Sequence, residues 1–303
     1  MRSPGLILAL LLVACSAGNE GPPLHHPDLS LTNLALTAEG DSSLFKNYSV
    51  SGPVSWNQAW PWKLDLSGVA WDRANTATAI TPRHVVMASH FIRAEGEAVV
   101  FHDRKGRRHE RTMEKVIHFK ERDARGDVAI GLLDRPLPVS IRSYPLPKPR
   151  TDYGESLTGA VVLITEQKRQ LFFHQITSVN QSSIRFGFDK RVAKERRKHL
   201  IVGDSGHPSF LLSKGELVLI ETHTTGGGGA GPFLGSSQNV AKVQELVEEL
   251  DPAFTVRTVA IDGRALKEAQ TGRTHLPQVP ARKPAPPRTS ATRTVPRNTQ
   301  PGL

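Results

Sequence analysis

Gly203-Asp204-Ser205-Gly206 sits between two apolar runs, Leu200-Ile201-Val202 and Pro208 to Leu212. Two glycines around a serine allow a tight turn whose backbone N–H groups converge on one point, with no Cβ in the way. A nucleophilic serine needs that arrangement, because the oxygen that gains charge in acyl transfer must meet donors already in place. The same four residues also make an ordinary β-turn, since Asp, Ser and Gly are all turn formers. A base and an acid elsewhere in the chain separate the two readings. Ile80 to Phe91 supplies a turn, a β-branched strand and, at the strand's end, His90. Gly126-Asp127-Val128-Ala129-Ile130 places Asp127 at the start of an apolar strand. His84 competes with His90 but precedes its strand, and Asp123 competes with Asp127 from within the polar run Glu121-Arg122-Asp123.

The strand running into Ala88-Ser89-His90, the strand opened by Asp127 and the Gly203–Gly206 turn occur in the order His, Asp, Ser, 37 and 78 residues apart. In these motifs the chain resembles the trypsin-like (chymotrypsin-fold) serine proteases, over roughly Asn47 to Leu250. The resemblance implies an acyl-enzyme mechanism on protein or peptide substrates, with no cofactor and no metal. Ser205 would be the nucleophile, His90 the base that takes its proton, and Asp127 the group that fixes the imidazole tautomer. The backbone N–H groups of Gly203 and Ser205 would form the oxyanion hole. His207 stands where most relatives carry Gly. A ring that crowds the site would leave an inactive homologue serving as an envelope protein-binding module, and an esterase on the same triad is a further alternative.

The strand Leu217 to Thr225 and the glycines Gly226 to Gly229 correspond to the wall of the family's specificity pocket. Thr224 matches a position whose hydroxyl contacts the catalytic Asp, and Gly226 continues the pocket edge. His223 matches a pocket histidine of glutamate-specific bacterial relatives. With the basic run Lys194, Arg196, Arg197, Lys198 it suggests acidic residues at the cleaved bond. Leu200 departs from those relatives, which offer a hydroxyl there. A buried, hydrogen-bonded His223 and a merely exposed basic loop form the opposing expectation. No Lys-Ser/Thr follows the four glycines, so they are not a phosphate loop.

The elements that must position these groups are short. β-type runs recur at Leu66–Trp71, Thr76–Ile80, Val85–Ala88, Ala98–Phe101, Val128–Leu133, Val161–Ile164, Gln170–Thr177, Ile184–Phe188 and Leu217–Thr222. Frequent short strands with little helix predict an all-β barrel or sandwich. With the resemblance they predict two Greek-key β-barrels, at about 47–140 and 150–262. Val240, Val243, Leu246, Val247 and Leu250 share one helical face, so a C-terminal helix is expected up to Asp251-Pro252, then a strand near Phe254 to Ile261.

Outside this region the composition changes. Residues 263–303 are expected to be a disordered tail, Pro-, Thr- and Arg-rich from Arg273. Six Lys/Arg from Arg273 onward, with no acidic residue, carry six of the formal +10 and leave +4 for the remainder. The high charge is therefore mainly a tail property and gives the folded part no nucleic-acid role. At the other end, Leu6 to Val13 is too short to span a bilayer core of about 30 Å. Leu12-Val13-Ala14-Cys15 resembles a bacterial lipobox, which implies a signal peptide over 1–14 and lipid attachment at Cys15. Ser16 then suggests the outer membrane, facing outside the cytoplasm, with residues 15–46 as a lipid-anchored linker. Cys15 is the only cysteine, so no disulfide framework exists. An acylated N-terminus about thirty residues from the domain could not serve as the inserted N-terminus that activates many animal relatives.

Overall fold

The computed structural model describes residues 29–119 and 126–268. The signal segment, Cys15, Asp123 and the tail from Arg273 lie outside the described residues. A short helix α1 (Leu31–Thr37) precedes a ribbon of β1 (Phe45–Asn47) and β2 (Ser55–Trp56). The first large sheet contains β3 (Thr78–Ala79), β4 (His84–Met87), β5 (Ala98–His102), β6 (Arg108–His118) and β7 (Ala129–Leu133), in the spatial order β3-β4-β7-β6-β5.

After β8 (Leu146–Pro147) and α2 (Tyr153–Leu157), the second sheet is built from β9 (Val161–Thr165), β10 (Leu171–Val179), β11 (Ser183–Gly187), β12 (Pro208–Ser213), β13 (Glu216–Thr222) and β14 (Ala230–Pro232). Their order is β13-β12-β9-β10-β11-β14. The chain closes with α3 (Ser237–Leu250), β15 (Thr258–Val259), which pairs in parallel with β8, and α4 (Gly263–Glu268). The protein is thus mostly β, two curled half-barrel sheets of five and six strands with a few helices. Among the described residues no helix is long and apolar enough to cross a membrane.

The centre of each sheet follows from continuous apolar runs. Every residue of β7 and of β9 is buried, as expected for strands covered on both faces. Gly131 in β7 is required by packing: a Cβ there would lie 2.4 Å from Met113 Sδ and 3.1 Å from Val85 Cγ2. A single apolar cluster reaches from Val86 and Ile130 in the first sheet to Leu163, Phe173 and Phe210 in the second, and takes in Val243, Leu246 and Val247 of α3. Ser236 caps that helix by accepting from Asn239 N at 3.0 Å. Just beyond its last turn, Asp251 accepts from Arg83 Nη1 at 2.6 Å and ties α3 to the first sheet.

Several expectations are corrected. The second half of the expected linker belongs to the folded body: Leu31, Leu34 and Ala35 bury one face of α1, and Ser43 bridges to Gln170. Leu66–Trp71 is buried but forms turns rather than a strand, making only the bridge Val69↔Thr78. β6, eleven residues long, lies where no strand was expected. α4 occupies the start of the expected tail, and its Leu266 packs on the core of the second sheet.

Candidate active site

Strand register explains why residues far apart in sequence meet. Met87 of β4 pairs with Ala129 of antiparallel β7. His90 lies three residues beyond Met87 and Asp127 two before Ala129, so both emerge at the same end of the first sheet. The second sheet repeats the device, since Pro208 of β12 pairs with Thr222 of β13. Ser205 lies three residues before Pro208 and Thr224 two after Thr222. Each sheet therefore delivers two of the four side chains from one strand end.

Asp127 is where the two pairs join. Its Oδ1 accepts the backbone N–H of His90 at 2.9 Å, and its Oδ2 accepts from His90 Nδ1 at 2.7 Å. Thr224 Oγ1 donates to the same Oδ2 at 2.7 Å, linking the second sheet to the first. The Asp127 side chain is 10 % exposed, whereas His90 is 46 % exposed, so the imidazole stands open to an incoming group. With Nδ1 donating to a carboxylate, Nε2 is the nitrogen left to accept a proton.

Ser205 approaches this group through its own turn. Gly206, at φ +80°, backs onto the end of β4, where an added Cβ would lie 3.6 Å from Ala88. Gly206 N donates to His223 O at 2.8 Å, and His223 N donates to His207 O at 3.0 Å, fixing the turn beside Thr224. Among the described residues no hydrogen bond joins Ser205 to His90, a contact that in unliganded sites commonly tightens only with substrate. Gly203 N and Ser205 N likewise donate to no other described group and remain open as a donor pair. Gly203 has φ +97°, and a Cβ there would meet Gln167 Oε1 at 2.6 Å, so glycine is needed at this corner.

A cavity of about 430 Å³ opens beside Ser205. Leu200, Ile201 and Val202 form one side, Asp204 and Ser205 the base, and the segment 223–226 the other side. Asp204 is buried and holds the turn from beneath: Oδ1 accepts Gln167 N at 3.2 Å and Oδ2 accepts Ile201 N at 2.9 Å. Its counter-charge is Lys198, whose Nζ lies 3.6 Å from Asp204 Oδ2 and also binds the buried carboxylate of Glu166. Antiparallel bridging of Leu200 with Gly227 closes the rim.

No protein-family model matches the chain, and no curated protein matches it.

Of three buried histidines in this region, His223 lines the cavity and His174 and His207 do not. His223 is buried with both ring nitrogens engaged: Nδ1 faces Glu221 Oε2 at 3.0 Å and Nε2 faces the Thr165 carbonyl at 3.1 Å. His174 donates from Nδ1 to Gly228 O at 2.7 Å, and burial lowers its pKa to about 4. His207 is buried against Trp71, its ring centroid 5.9 Å away, and does not line the cavity. Neither of its nitrogens has a partner at hydrogen-bond geometry, the Ala74 backbone coming only near enough to offset burial slightly. Burial, reinforced by nearby His223, lowers its pKa to about 3. The expectation that His207 crowds the nucleophile is thus corrected: Gly206 lets the chain turn so that the ring points into the core.

The structure brings together His90, Asp127 and Thr224 by direct bonds, with Ser205, His223 and Gly226 lining the adjoining cavity and Gly203 in the turn that carries Ser205. His84 is separate, hydrogen-bonded through Nδ1 to Thr81 Oγ1 at 2.8 Å. Lys198, Glu166 and Gln167 support the turn without having been singled out for it. The signal for Glu166 was a lone carboxylate directly after the apolar run of β9. Among the described residues no group of three or more His, Cys, Asp or Glu side chains is placed to hold a metal ion.

Proposed function

We propose that this chain is a serine endopeptidase that cleaves peptide bonds through an acyl-enzyme, with Ser205 as nucleophile, His90 as general base and Asp127 as its orienting acid. The observation that carries the reading is the Asp127 carboxylate, which receives His90 N, His90 Nδ1 and Thr224 Oγ1 together. Three donors on one carboxylate hold it in place, and its bond to Nδ1 fixes the imidazole with Nε2 turned outward. As Ser205 Oγ attacks the carbonyl carbon, its proton passes to His90 Nε2 and the carbonyl oxygen gains the negative charge. Gly203 N–H and Ser205 N–H are the donors for that charge. The protonated imidazole then returns the proton to the leaving amine as the C–N bond breaks, and water repeats the sequence to release the acid.

The order of the three residues along the chain and the two-sheet arrangement support a trypsin-like architecture of two Greek-key barrels with α3 as the C-terminal helix. The Leu12–Cys15 motif supports anchoring at the bacterial envelope, outside the cytoplasm, through a lipid on Cys15. Labelling with a fluorophosphonate probe tests the chemistry. The wild-type protein should label and Ser205→Ala should not; a wild type that fails to label overturns the assignment. For the anchor, Cys15→Ala should move the protein from the membrane to the soluble fraction, and an unchanged distribution would refute it.

A further inference from the structure

The cavity beside Ser205 differs in chemistry from what the histidine and the basic run suggest in the sequence. Two of its lining side chains are ionisable, Asp204 and His223, and both are already engaged. Asp204 binds two backbone N–H groups and Lys198. His223 uses one ring nitrogen on Glu221 and the other on the Thr165 carbonyl, so it has no N–H left for a substrate carboxylate. Arg196 and Lys198 of the basic run, and His199 beside them, are held elsewhere. Arg196 donates to Ala35 O, the His199 ring packs on Phe188 with centroids 4.6 Å apart, and Lys198 lies between Glu166 and Asp204. None of these basic residues lines the cavity.

The rest of the lining is uncharged: the hydroxyls of Ser205, Thr224 and Thr225, and an apolar wall of Leu200, Ile201 and Val202. Leu200 is buried with Phe186, Val218 and Ile220 in the core of the second sheet. Gly229 lies against it, where a Cβ would come within 2.8 Å of Leu200 Cδ1. Ile201 and Val202, 54 % and 98 % exposed, stand at the mouth next to the nucleophile turn, where only a bound group can cover them. A charged side chain entering here would lose water without meeting a free counter-charge, whereas an aliphatic one would remove apolar surface from water.

We infer that this cavity selects an uncharged aliphatic side chain, such as valine or leucine, at the residue whose carbonyl is attacked, with Leu200 and Val202 as the specificity-determining contacts. The inference rests on the endopeptidase reading. It is tested with the full chain and fluorogenic peptides that differ only at that residue: Val, Leu, Glu and Lys. Val or Leu should exceed both Glu and Lys by about 100-fold in kcat/KM. Equal or faster cleavage after Glu or Lys overturns the assignment of specificity. Fluorophosphonate labelling of Ser205 on the same preparation separates the two claims. Labelling together with a charged preference removes only the pocket assignment, while no labelling and no cleavage of any peptide removes both.

Discussion

Asp127 holds His90 at two points, the backbone N–H at 2.9 Å and ring Nδ1 at 2.7 Å. The first contact fixes the residue's position at the end of β4 and the second fixes which nitrogen carries the proton. Asp127→Asn keeps the shape but offers an amide NH₂ where a carboxylate oxygen stood, so it favours the wrong tautomer. We expect kcat on a peptide substrate to fall by about 10⁴-fold with an unchanged thermal midpoint, against about 10⁶ for Ser205→Ala. Activity within tenfold of wild type would remove Asp127 from its role.

Thr224 Oγ1 is the direct hydrogen-bond link from the second sheet to that carboxylate, at 2.7 Å. Thr224→Val is close to isosteric and deletes only the donor. A hydrogen bond to a charged group contributes about 1.5–3 kcal/mol, of which a fraction bears on the transition state, so a loss of about tenfold in kcat is expected. KM should change little. A change confined to KM would mean that Thr224 contacts substrate rather than Asp127.

Lys198 lies between two buried carboxylates, Glu166 and Asp204, with its own side chain 17 % exposed. Lys198→Met leaves both without a counter-charge. Destabilisation of about 3 kcal/mol is expected, at the lower end for a broken buried pair because solvent reaches the lysine. Adding Glu166→Gln should recover part of the loss in urea unfolding. Simple additivity of the two substitutions would show that the residues are not coupled.

Acid should weaken the fold through histidines that are buried uncharged. Burial lowers His84 and His174 to about 4 and His207 to about 3, against an ordinary 6.5. Between those values the unfolded chain binds more protons than the folded one, so the stability present above pH 6.5 is lost as pH falls toward 4. Each histidine contributes a slope of up to about 1.4 kcal/mol per pH unit. His207→Leu removes one such slope and also two unpartnered buried nitrogens. Its unfolding free energy should therefore fall less steeply than that of wild type between pH 6.5 and 4.5. Parallel curves would show that His207 takes up its proton at the same pH in the folded and the unfolded chain.

The three motifs were readable because each is local: a strand end, a strand start and a glycine-flanked turn. Their meeting point was not, because it depends on the Met87↔Ala129 and Pro208↔Thr222 registers between strands. β6 escaped notice because Arg108 to His118 puts charged side chains along much of its length and buries only Arg111 and Met113. α1 has seven residues, too few for a helical period to stand out from a linker. Lys198 read as one charge of a solvated run, since neither of its partners is a close neighbour on that loop. The engagement of His223 was partly visible: Glu221 lies two residues before it, on the same side of an extended chain.

Docking of α1 also shortens the leash. If a lipid is carried by Cys15, the described body begins at Leu29, fourteen residues further on, a length of chain that spans at most about 50 Å. Anchorage further along, at Phe45, would have allowed about twice that stand-off. On the proposed anchoring, the candidate groove would be confined to a shell above the bilayer, and its substrates to proteins that enter the same shell.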